Sequence, residues 1–364
     1  MQEETSLLKN FSDGFSDFAE LVDYRCYYVD KTSFIKKVFA RDADPQEPPK
    51  SGKILLITRP RRFGKTLLLS TFFHFLRINE EQGKLYQQKL FAHTQITEDR
   101  EFCAKFMGKF PTVFITFKDI TQKNFTTAYN RLVGVLCEEA NRHEYLLQSP
   151  KLTQNDKDDF RLLTSKRQLK LPEYQDDFFQ GLKTLTRLLH KHYGVKAVLL
   201  IDEYDVPLAK AQENGNYDEM KEVVRSVLSE VLKDNSDLYK AVLTGCLRVS
   251  KESIFTGLNN LSVNSVVSSD RELSEILGFT PSEVKCMLEY YGLSCHEKEV
   301  KAWYDGYRIA GSEIYCPWDL ICFCKSALKR SDPKAFILVS YWLGTSSNDA
   351  IRDFMRYLDE DAAD

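Results

Sequence analysis

The sequence predicts an α/β fold in which a parallel sheet with flanking helices is followed by a small, mainly helical module. Short apolar runs alternate along the chain with longer helical patterns, as in βαβ units. The runs at residues 54–57 and 198–201 are apolar at every position, which is typical of central parallel strands covered on both faces. Beyond about Ser269 this alternation stops, and helix-start signals dominate the remaining sequence.

The elements of the sheet domain follow from these local patterns. Strands are expected at residues 53–58, 112–117, 196–201 and 238–244, and helices near residues 65–79, 126–147, 176–192 and 217–233. Two polar stretches interrupt the pattern. Residues 41–53 contain three prolines and are expected to be a loop, and residues 151–177 are expected to be a hydrophilic, loop-like insertion.

The C-terminal module is predicted from helix-capping signals. Thr280, Pro281 and Glu283 stand at the N-cap, N1 and N3 positions of a helix that we expect to reach Tyr291. A second helix should begin at Pro317, and a third should be capped by residues 346–348 and reach residue 358. We therefore expect a sheet domain over residues 1–268 and a helical lid module over residues 269–364.

Composition excludes several classes of protein. The 43% hydrophobic residues, with 24 Phe and 18 Tyr, exclude an intrinsically disordered chain, and no apolar run is long enough for a membrane span. The net charge of −3 supplies no general attraction to nucleic acid or anionic lipid. Nine scattered cysteines and an N-terminus without signal-peptide features favour a location in the reducing cytoplasm.

A phosphate-binding motif follows the first predicted strand. Residues 59–66 match the pattern G-x-x-x-x-G-K-[ST] at Gly64, Lys65 and Thr66, with a strand before and a helix after, which is the context of a P-loop NTPase. Backbone amides at the helix start can bind phosphate, Lys65 can reach the β- and γ-phosphates, and Thr66 can ligate Mg²⁺. The predicted nucleotide contacts are Arg61, Arg62, Phe63, Gly64, Lys65, Thr66 and Leu67.

This motif departs from the general pattern at Arg59, which replaces the first glycine. Arg59, Arg61 and Arg62 each have three alternative roles: a contact to nucleotide, an ion pair with an acidic residue of the second module, or exposure to solvent.

Two carboxylates end the second fully apolar strand. Asp202 can contribute to a Mg²⁺ site with Thr66, and Glu203 can face the γ-phosphate as the base that activates water. Thr244, at the end of the next strand, either senses the γ-phosphate or simply terminates the strand. Arg248 either stabilises phosphate charge or lies at the surface. Asp205 is expected to support this site in preference to capping the following helix.

In combination, these motifs resemble those of a known family. The sequence is similar to the predicted AAA-ATPase-like family of microbial proteins from about Phe15 onward, except in the two polar stretches. The resemblance rests on residues 28–32, 59–66, 201–205 and 254–261 and on the later segments 278–280, 303–308, 317–318, 341–342 and 345–348.

The resemblance implies a P-loop ATPase core and a helical lid, with ATP and Mg²⁺ as cofactors. The family's arginine in place of the first glycine matches Arg59. The resemblance also suggests that Tyr28, Asp30 and Lys31 lie near the nucleotide, although core packing is the stronger expectation for Tyr28. Many members continue into a nuclease-like module of the PD-(D/E)XK type. The sequence ending at Asp364 is too short for that module, so we expect no nuclease activity.

Three functions compete at this level. The leading prediction is a Mg²⁺-dependent ATPase that couples ATP hydrolysis to movement of the C-terminal module. The first alternative is an ATP-binding switch with little hydrolysis that presents the lid to a protein or nucleic-acid partner. The second alternative, a small-molecule kinase, is disfavoured by Glu203, because phosphoryl transfer to a hydroxyl needs no residue dedicated to water. A homo-oligomer is compatible with the sequence, but a membrane partner is not expected.

Overall fold

The centre of the protein is a five-stranded parallel sheet. The structure is a computed structural model that describes residues 8–39, 52–80, 83–246, 254–255, 257–258, 260–267 and 271–329. The strands of the sheet are β1 (Ile54–Thr58), β2 (Thr112–Thr116), β3 (Ala197–Asp202), β4 (Leu238–Gly245) and β5 (Leu261–Asn264). Their order is β2-β3-β4-β1-β5, and every pair is parallel. The predicted α/β fold is confirmed, and β5 is a strand that the sequence patterns did not identify.

The described residues also form fourteen α-helices, most of which flank the sheet. They are α1 (Phe18–Asp23), α2 (Ser33–Phe39), α3 (Lys65–Leu76), α4 (Lys84–Leu90), α5 (Arg100–Phe106), α6 (Phe125–Asn141), α7 (Gln154–Thr164), α8 (Lys166–Leu169), α9 (Gln175–Tyr193), α10 (Val206–Asn214), α11 (Tyr217–Leu232), α12 (Pro281–Tyr290), α13 (Glu297–Tyr304) and α14 (Pro317–Leu328). None of the helices in the described ranges is both long and apolar enough to cross a lipid bilayer.

Both faces of the sheet are covered, as the apolar runs predict. Successive residues of a strand point to opposite faces. Along β1, Ile54 and Leu56 therefore belong to a core with α6, α9 and α11, whereas Leu55 and Ile57 belong to a second core with α2, α3, α4 and α5. Burial on both faces fixes the sheet between two helical layers and leaves the carboxyl ends of its strands at one edge.

The prediction of a loop-like insertion over residues 151–177 is wrong, because this stretch contains α7, α8 and the start of α9. The stretch is rich in charged residues, but its apolar side chains, such as Phe160 and Leu163, pack into the core beside the sheet. The buried carboxylate of Asp156 is paired with Arg187 at 2.6 Å and Lys191 at 2.7 Å, both on α9. These ion pairs anchor a charged stretch that looks fully solvated in the sequence. The basic residues Lys166, Arg167 and Lys170 of this stretch lie on and just after α8.

The C-terminal part of the described chain (residues 271–329) is less purely helical than predicted. The capping box of Thr280 and Glu283 at the start of α12 and the start of α14 at Pro317 are confirmed. Between these helices lies an unpredicted antiparallel hairpin of β6 (Asp305–Ile309) and β7 (Ser312–Tyr315). The third predicted helix and the predicted loop at residues 41–53, apart from its last two residues, lie outside the described residues.

The N-terminal segment (residues 8–39) contacts both the sheet domain and the C-terminal part. Asp17 caps α1 and also binds His74 of α3, with 2.8 Å between Oδ2 and Nε2. Lys31 donates to both carboxylate oxygens of Glu283 in α12 at 2.7 Å. The segment therefore bridges the helix that follows β1 and the first helix of the C-terminal part.

Candidate nucleotide-binding site

A cavity of about 290 Å³ lies at the carboxyl edge of the sheet, where ligands of parallel α/β folds usually bind. Four parts of the chain enclose it. The lining consists of residues 62–68 and 71 from the loop after β1 and from α3, residues 12–16, 21, 27–29 and 31 from the N-terminal segment, Glu203 after β3, and residues 276–279, 317, 318 and 321 from the C-terminal part.

The loop between β1 and α3 (residues 59–64, here the phosphate loop) aims the helix start at this cavity. Gly64 is the N-cap residue and has a left-handed φ of 87°, which a residue with a side chain adopts only under strain. The amides at the start of α3 are available for an anion. Lys65 is 4% exposed, and its Nζ donates to the carbonyl oxygens of Arg59 and Pro60 at 3.0 Å and to Cys246 Sγ at 3.3 Å.

Three hydroxyl and carboxylate groups from neighbouring elements meet beside the phosphate loop. Thr66 Oγ1 donates to Asp202 Oδ2 at 2.7 Å, and Thr244 Oγ1 donates to Asp202 Oδ1 at 2.6 Å. This arrangement arises because β4 lies between β1 and β3, so that α3, β3 and β4 converge at one edge. Thr244 is thus more than a strand terminus, but the group that its hydroxyl contacts is Asp202.

Glu203 lines the cavity and has an unusual backbone conformation. Its φ of 51° turns the chain sharply at the end of β3. Burial, followed by repulsion from Asp202, raises the pKa of the Glu203 carboxyl, and the positive charges of Lys65 and Arg61 partly oppose this rise. A carboxyl group with a raised pKa facing a cavity has the properties of a general base.

Asp205 and Cys246 contact each other at the same edge of the sheet. Asp205 is buried, and its Oδ2 accepts a hydrogen bond from the Cys246 amide at 2.9 Å. Its side chain forms no capping hydrogen bond to α10, which agrees with the supporting position favoured by the sequence. Cys246, which brings its thiol to Lys65, was not singled out from the sequence. Arg248 lies outside the described residues.

Arg59 is not exposed to solvent, it does not line the cavity, and it forms no ion pair with the described residues. Its side chain is completely buried, and it donates to Asn264 Oδ1 at 2.6 Å and to the carbonyl oxygens of Leu273 and Ser274 at 3.3 and 3.4 Å. Burial lowers the pKa of its guanidinium to about 10, so the group remains charged at neutral pH. Arg59 therefore ties the start of the phosphate loop to the end of β5 and to the start of the C-terminal part.

Replacing Arg59 by methionine should lower the free energy of unfolding by about 3 kcal/mol, because the buried side-chain and carbonyl acceptors lose a charged donor. Urea denaturation without nucleotide measures this change. The control is Arg308→Met, at a side chain that is 78% exposed, for which we expect a change below about 0.5 kcal/mol. Equal stability of Arg59→Met and the unmodified protein would contradict this assignment.

The side chains of four other predicted nucleotide contacts, in the phosphate loop and at the start of α3, lie in different environments. Arg61 is exposed, whereas the guanidinium of Arg62 lies 3.9 Å from the ring centroid of Trp318. Phe63 is buried among side chains of the β6–β7 hairpin. Leu67 is partly buried against the core that contains α3. The cavity is lined by Arg62, Phe63 and Leu67, but Arg61 is not part of its lining.

Of the three N-terminal residues suggested to lie near a nucleotide, two line the cavity and one does not. Tyr28 and Lys31 line the cavity, and Tyr28 packs against Phe18 with ring centroids 5.2 Å apart. Asp30 does not line the cavity. Its carboxylate accepts hydrogen bonds from the amides of Thr32 at 2.8 Å and Gln95 at 2.6 Å, which is a structural role.

The donor set beside the phosphate loop suits a hard cation. Asp202 is fully buried, and its carboxylate forms no ion pair with any side chain of the described ranges. Carboxylate and hydroxyl oxygens are ligands that Mg²⁺ accepts. Within the described residues no group of three or more His, Cys, Asp or Glu side chains could hold a metal alone. A Mg²⁺ ion at Asp202 and Thr66 would therefore need oxygens from water or a bound ligand.

Comparison with known proteins now identifies the family. The model of a family described as "Predicted AAA-ATPase" matches residues 13–255, which include the phosphate loop, β3 and β4. The chain belongs to the predicted AAA-ATPase family. The resemblance inferred from its motifs is confirmed, and membership supports nucleotide binding.

One curated relative of this predicted AAA-ATPase comes from Azotobacter chroococcum mcd 1 and is called "Uncharacterized protein in vnfD 5'region". The two chains are 27% identical over 321 residues, which cover 84% of this chain and 49% of the relative. The chain thus spans about half the length of that relative.

Proposed function

We propose that this protein binds ATP together with Mg²⁺ at the edge of its parallel sheet and hydrolyses the bond between the β- and γ-phosphates. Lys65 would contact the β- and γ-phosphates, Thr66 and Asp202 would hold the metal ion, and Glu203 would activate water. The amides of the phosphate loop and of the first turn of α3 would bind the remaining phosphate oxygens.

One observation carries this proposal: two groups of opposite charge are buried at the same edge of the sheet, and neither has an ion-pair partner among the described residues. Lys65 and Asp202 are 4% and 0% exposed, and within the described part of the chain neither forms an ion pair. Burying an isolated charge is costly, so such groups normally meet an opposite charge or a metal. A phosphate beside Lys65 and a cation beside Asp202 would satisfy both charges, and a Mg²⁺–nucleotide complex supplies them together.

Hydrolysis is supported by the different environments of the two adjacent carboxylates. Asp202 is locked by the hydroxyls of Thr66 and Thr244, whereas Glu203 faces the cavity with a raised pKa. Glu203 can therefore accept a proton from water that attacks the γ-phosphate. When bound, Mg²⁺ would neutralise charge on the phosphate oxygens. Thr244 would act through Asp202 as a positioning residue, and a phosphate-stabilising role for Arg248 is proposed from the sequence alone.

The C-terminal module, proposed to span residues 269–364, would respond to nucleotide. The observation that favours this coupling is the shared wall of the cavity, to which the phosphate loop and residues 276–279 both contribute. We also propose a cytoplasmic location, since all nine cysteines are free thiols. The nucleotide-dependent change of the C-terminal module would act on a partner, which we propose to be a protein, a nucleic acid or a second copy of the chain.

The direct test is phosphate release by the purified protein. With ATP and Mg²⁺ we expect turnover. Excess EDTA should reduce turnover to the background level, because the proposed reaction needs Mg²⁺ and two protein ligands, Asp202 and Thr66, would not retain the ion against a chelator. Calorimetric titration with ATP measures binding separately. Tight binding without phosphate release would favour the switch alternative, and absence of binding with Mg²⁺ present would overturn the proposal.

A further inference from the structure

We propose that Trp318, in the first turn of α14, is a positioning residue for Arg62 of the phosphate loop. Its indole ring would hold the Arg62 guanidinium at the cavity wall, where the guanidinium can bind a phosphate oxygen. The C-terminal part would thereby complete the phosphate site built by the sheet domain. This inference rests on the proposed nucleotide-binding function and adds a residue that none of the motif roles includes.

The first step of the argument is the backbone of the phosphate loop. Arg62 has a left-handed φ of 69°, a conformation that is uncommon for a residue with a long side chain. It is followed by Phe63, which is 1% exposed and packs edge-to-face on Tyr307 with ring centroids 4.9 Å apart. Because Phe63 is anchored in the hairpin, the turn at Arg62 is fixed relative to α14.

The second step is the contact itself. The Arg62 guanidinium carbon lies 3.9 Å from the centroid of the Trp318 ring, well within the range of a cation–π interaction. Tryptophan offers the strongest aromatic face for this interaction, and the planar guanidinium can stack on it while its N–H groups remain free to donate. Both residues line the cavity.

The third step is an unsatisfied donor. Nη1 of Arg62 is buried and has no hydrogen-bond partner among the described residues. The carboxylate of Asp319 interacts electrostatically with Arg62, but it does not satisfy Nη1, and its own Oδ1 is also buried and without a partner in the described chain. A buried guanidinium N–H without an acceptor is costly, and a phosphate oxygen in the cavity would satisfy it.

A double-mutant cycle measured by ATP titration with Mg²⁺ tests this inference. Trp318→Leu and Arg62→Met should each weaken ATP binding roughly fivefold to tenfold. The double variant should bind no more weakly than Arg62→Met, because Trp318 acts through Arg62. Trp318→Phe should restore most of the affinity, since it keeps an aromatic face. The matched control is Trp303→Leu, at a residue 56% exposed on α13, which should leave affinity unchanged.

The outcomes separate this inference from the proposed function. If the unmodified protein binds no ATP, both fail. If it binds ATP but the two losses add in the double variant, Trp318 only packs in the cavity wall and the inference is overturned. Thermal denaturation without nucleotide verifies that each variant is folded. If Trp318→Leu does not fold, the cycle is run with Trp318→Met, which replaces the ring by a longer and more flexible side chain than leucine and should give the same non-additive pattern.

Discussion

Replacing Glu203 by glutamine should slow ATP turnover by at least about 100-fold, the usual contribution of a general base, while ATP affinity changes by less than about threefold. Glutamine keeps the length and hydrogen-bonding capacity of Glu203 but cannot accept the proton of water. It also carries the same backbone strain at a φ of 51°, so the variant should fold as the unmodified protein does. Single-turnover phosphate release and calorimetric ATP titration measure the two quantities separately.

The matched control for this variant is Glu222→Gln on α11. That side chain is 62% exposed and has its nearest cation, Arg225, at 3.7 Å, so its loss should leave turnover unchanged. Equal turnover by Glu203→Gln and the unmodified protein would remove Glu203 from the mechanism. That result would not contradict the proposed ATP binding, which depends on Lys65 and the phosphate loop.

The pH dependence of turnover should report the environment of Glu203. Because burial and Asp202 raise its pKa in the free protein, the acid limb of kcat/KM should lie above the ordinary value for a glutamate, which is about 4.3. The base works only when ionised, so turnover falls as the pH drops through this raised pKa. The same limb should be missing from the residual activity of Glu203→Gln, and an unshifted limb would contradict the role of burial.

Replacing Lys65 by methionine should weaken ATP binding by about 100-fold, the equivalent of nearly 3 kcal/mol for a charged contact to phosphate. Methionine has a similar length and fits a position that is only 4% exposed. Stability without nucleotide should fall by less than about 1 kcal/mol, because removing a buried charge that forms no ion pair in the described structure offsets the lost hydrogen bonds to the carbonyl oxygens of Arg59 and Pro60. Calorimetry and thermal denaturation give the two values.

The control for this variant is Lys285→Met on α12, a side chain that is 58% exposed. It removes the same charge from the surface and should alter neither affinity nor stability. ATP binding by Lys65→Met at the unmodified affinity would show that the cavity holds its ligand without this charge. The expected contrast is that Lys65→Met loses binding, whereas Glu203→Gln loses only turnover.

Much of the sheet domain was predictable because its signals are local. Residues 54–57 of β1 and 197–201 of β3 are apolar at every position, which is typical of strands buried on both faces. The start of α12 was predictable for the same reason, since Thr280 and Glu283 satisfy each other's backbone amides within one turn. No distant residue is needed for either inference.

The prediction failed where distant partners determine the local structure. In the stretch 151–177, charges outnumber apolar residues, and its helices are anchored by ion pairs from Asp156 to α9, about thirty residues away in sequence. The β6–β7 hairpin consists of strands of only five and four residues, and its apolar side chains are buried by distant partners such as Phe63 of the phosphate loop.

The candidate site divides in the same way. The sequence by itself determined the order of strand, phosphate loop, helix and acidic strand end, because each is a short run of neighbouring residues with a direct chemical requirement. Only the tertiary structure decided that Arg59 is buried beneath the loop, that Thr244 contacts Asp202, and that Arg62 stacks on Trp318. The partners of these side chains lie between 42 and 256 positions away, and a long polar side chain takes its role from whatever the fold places within its reach.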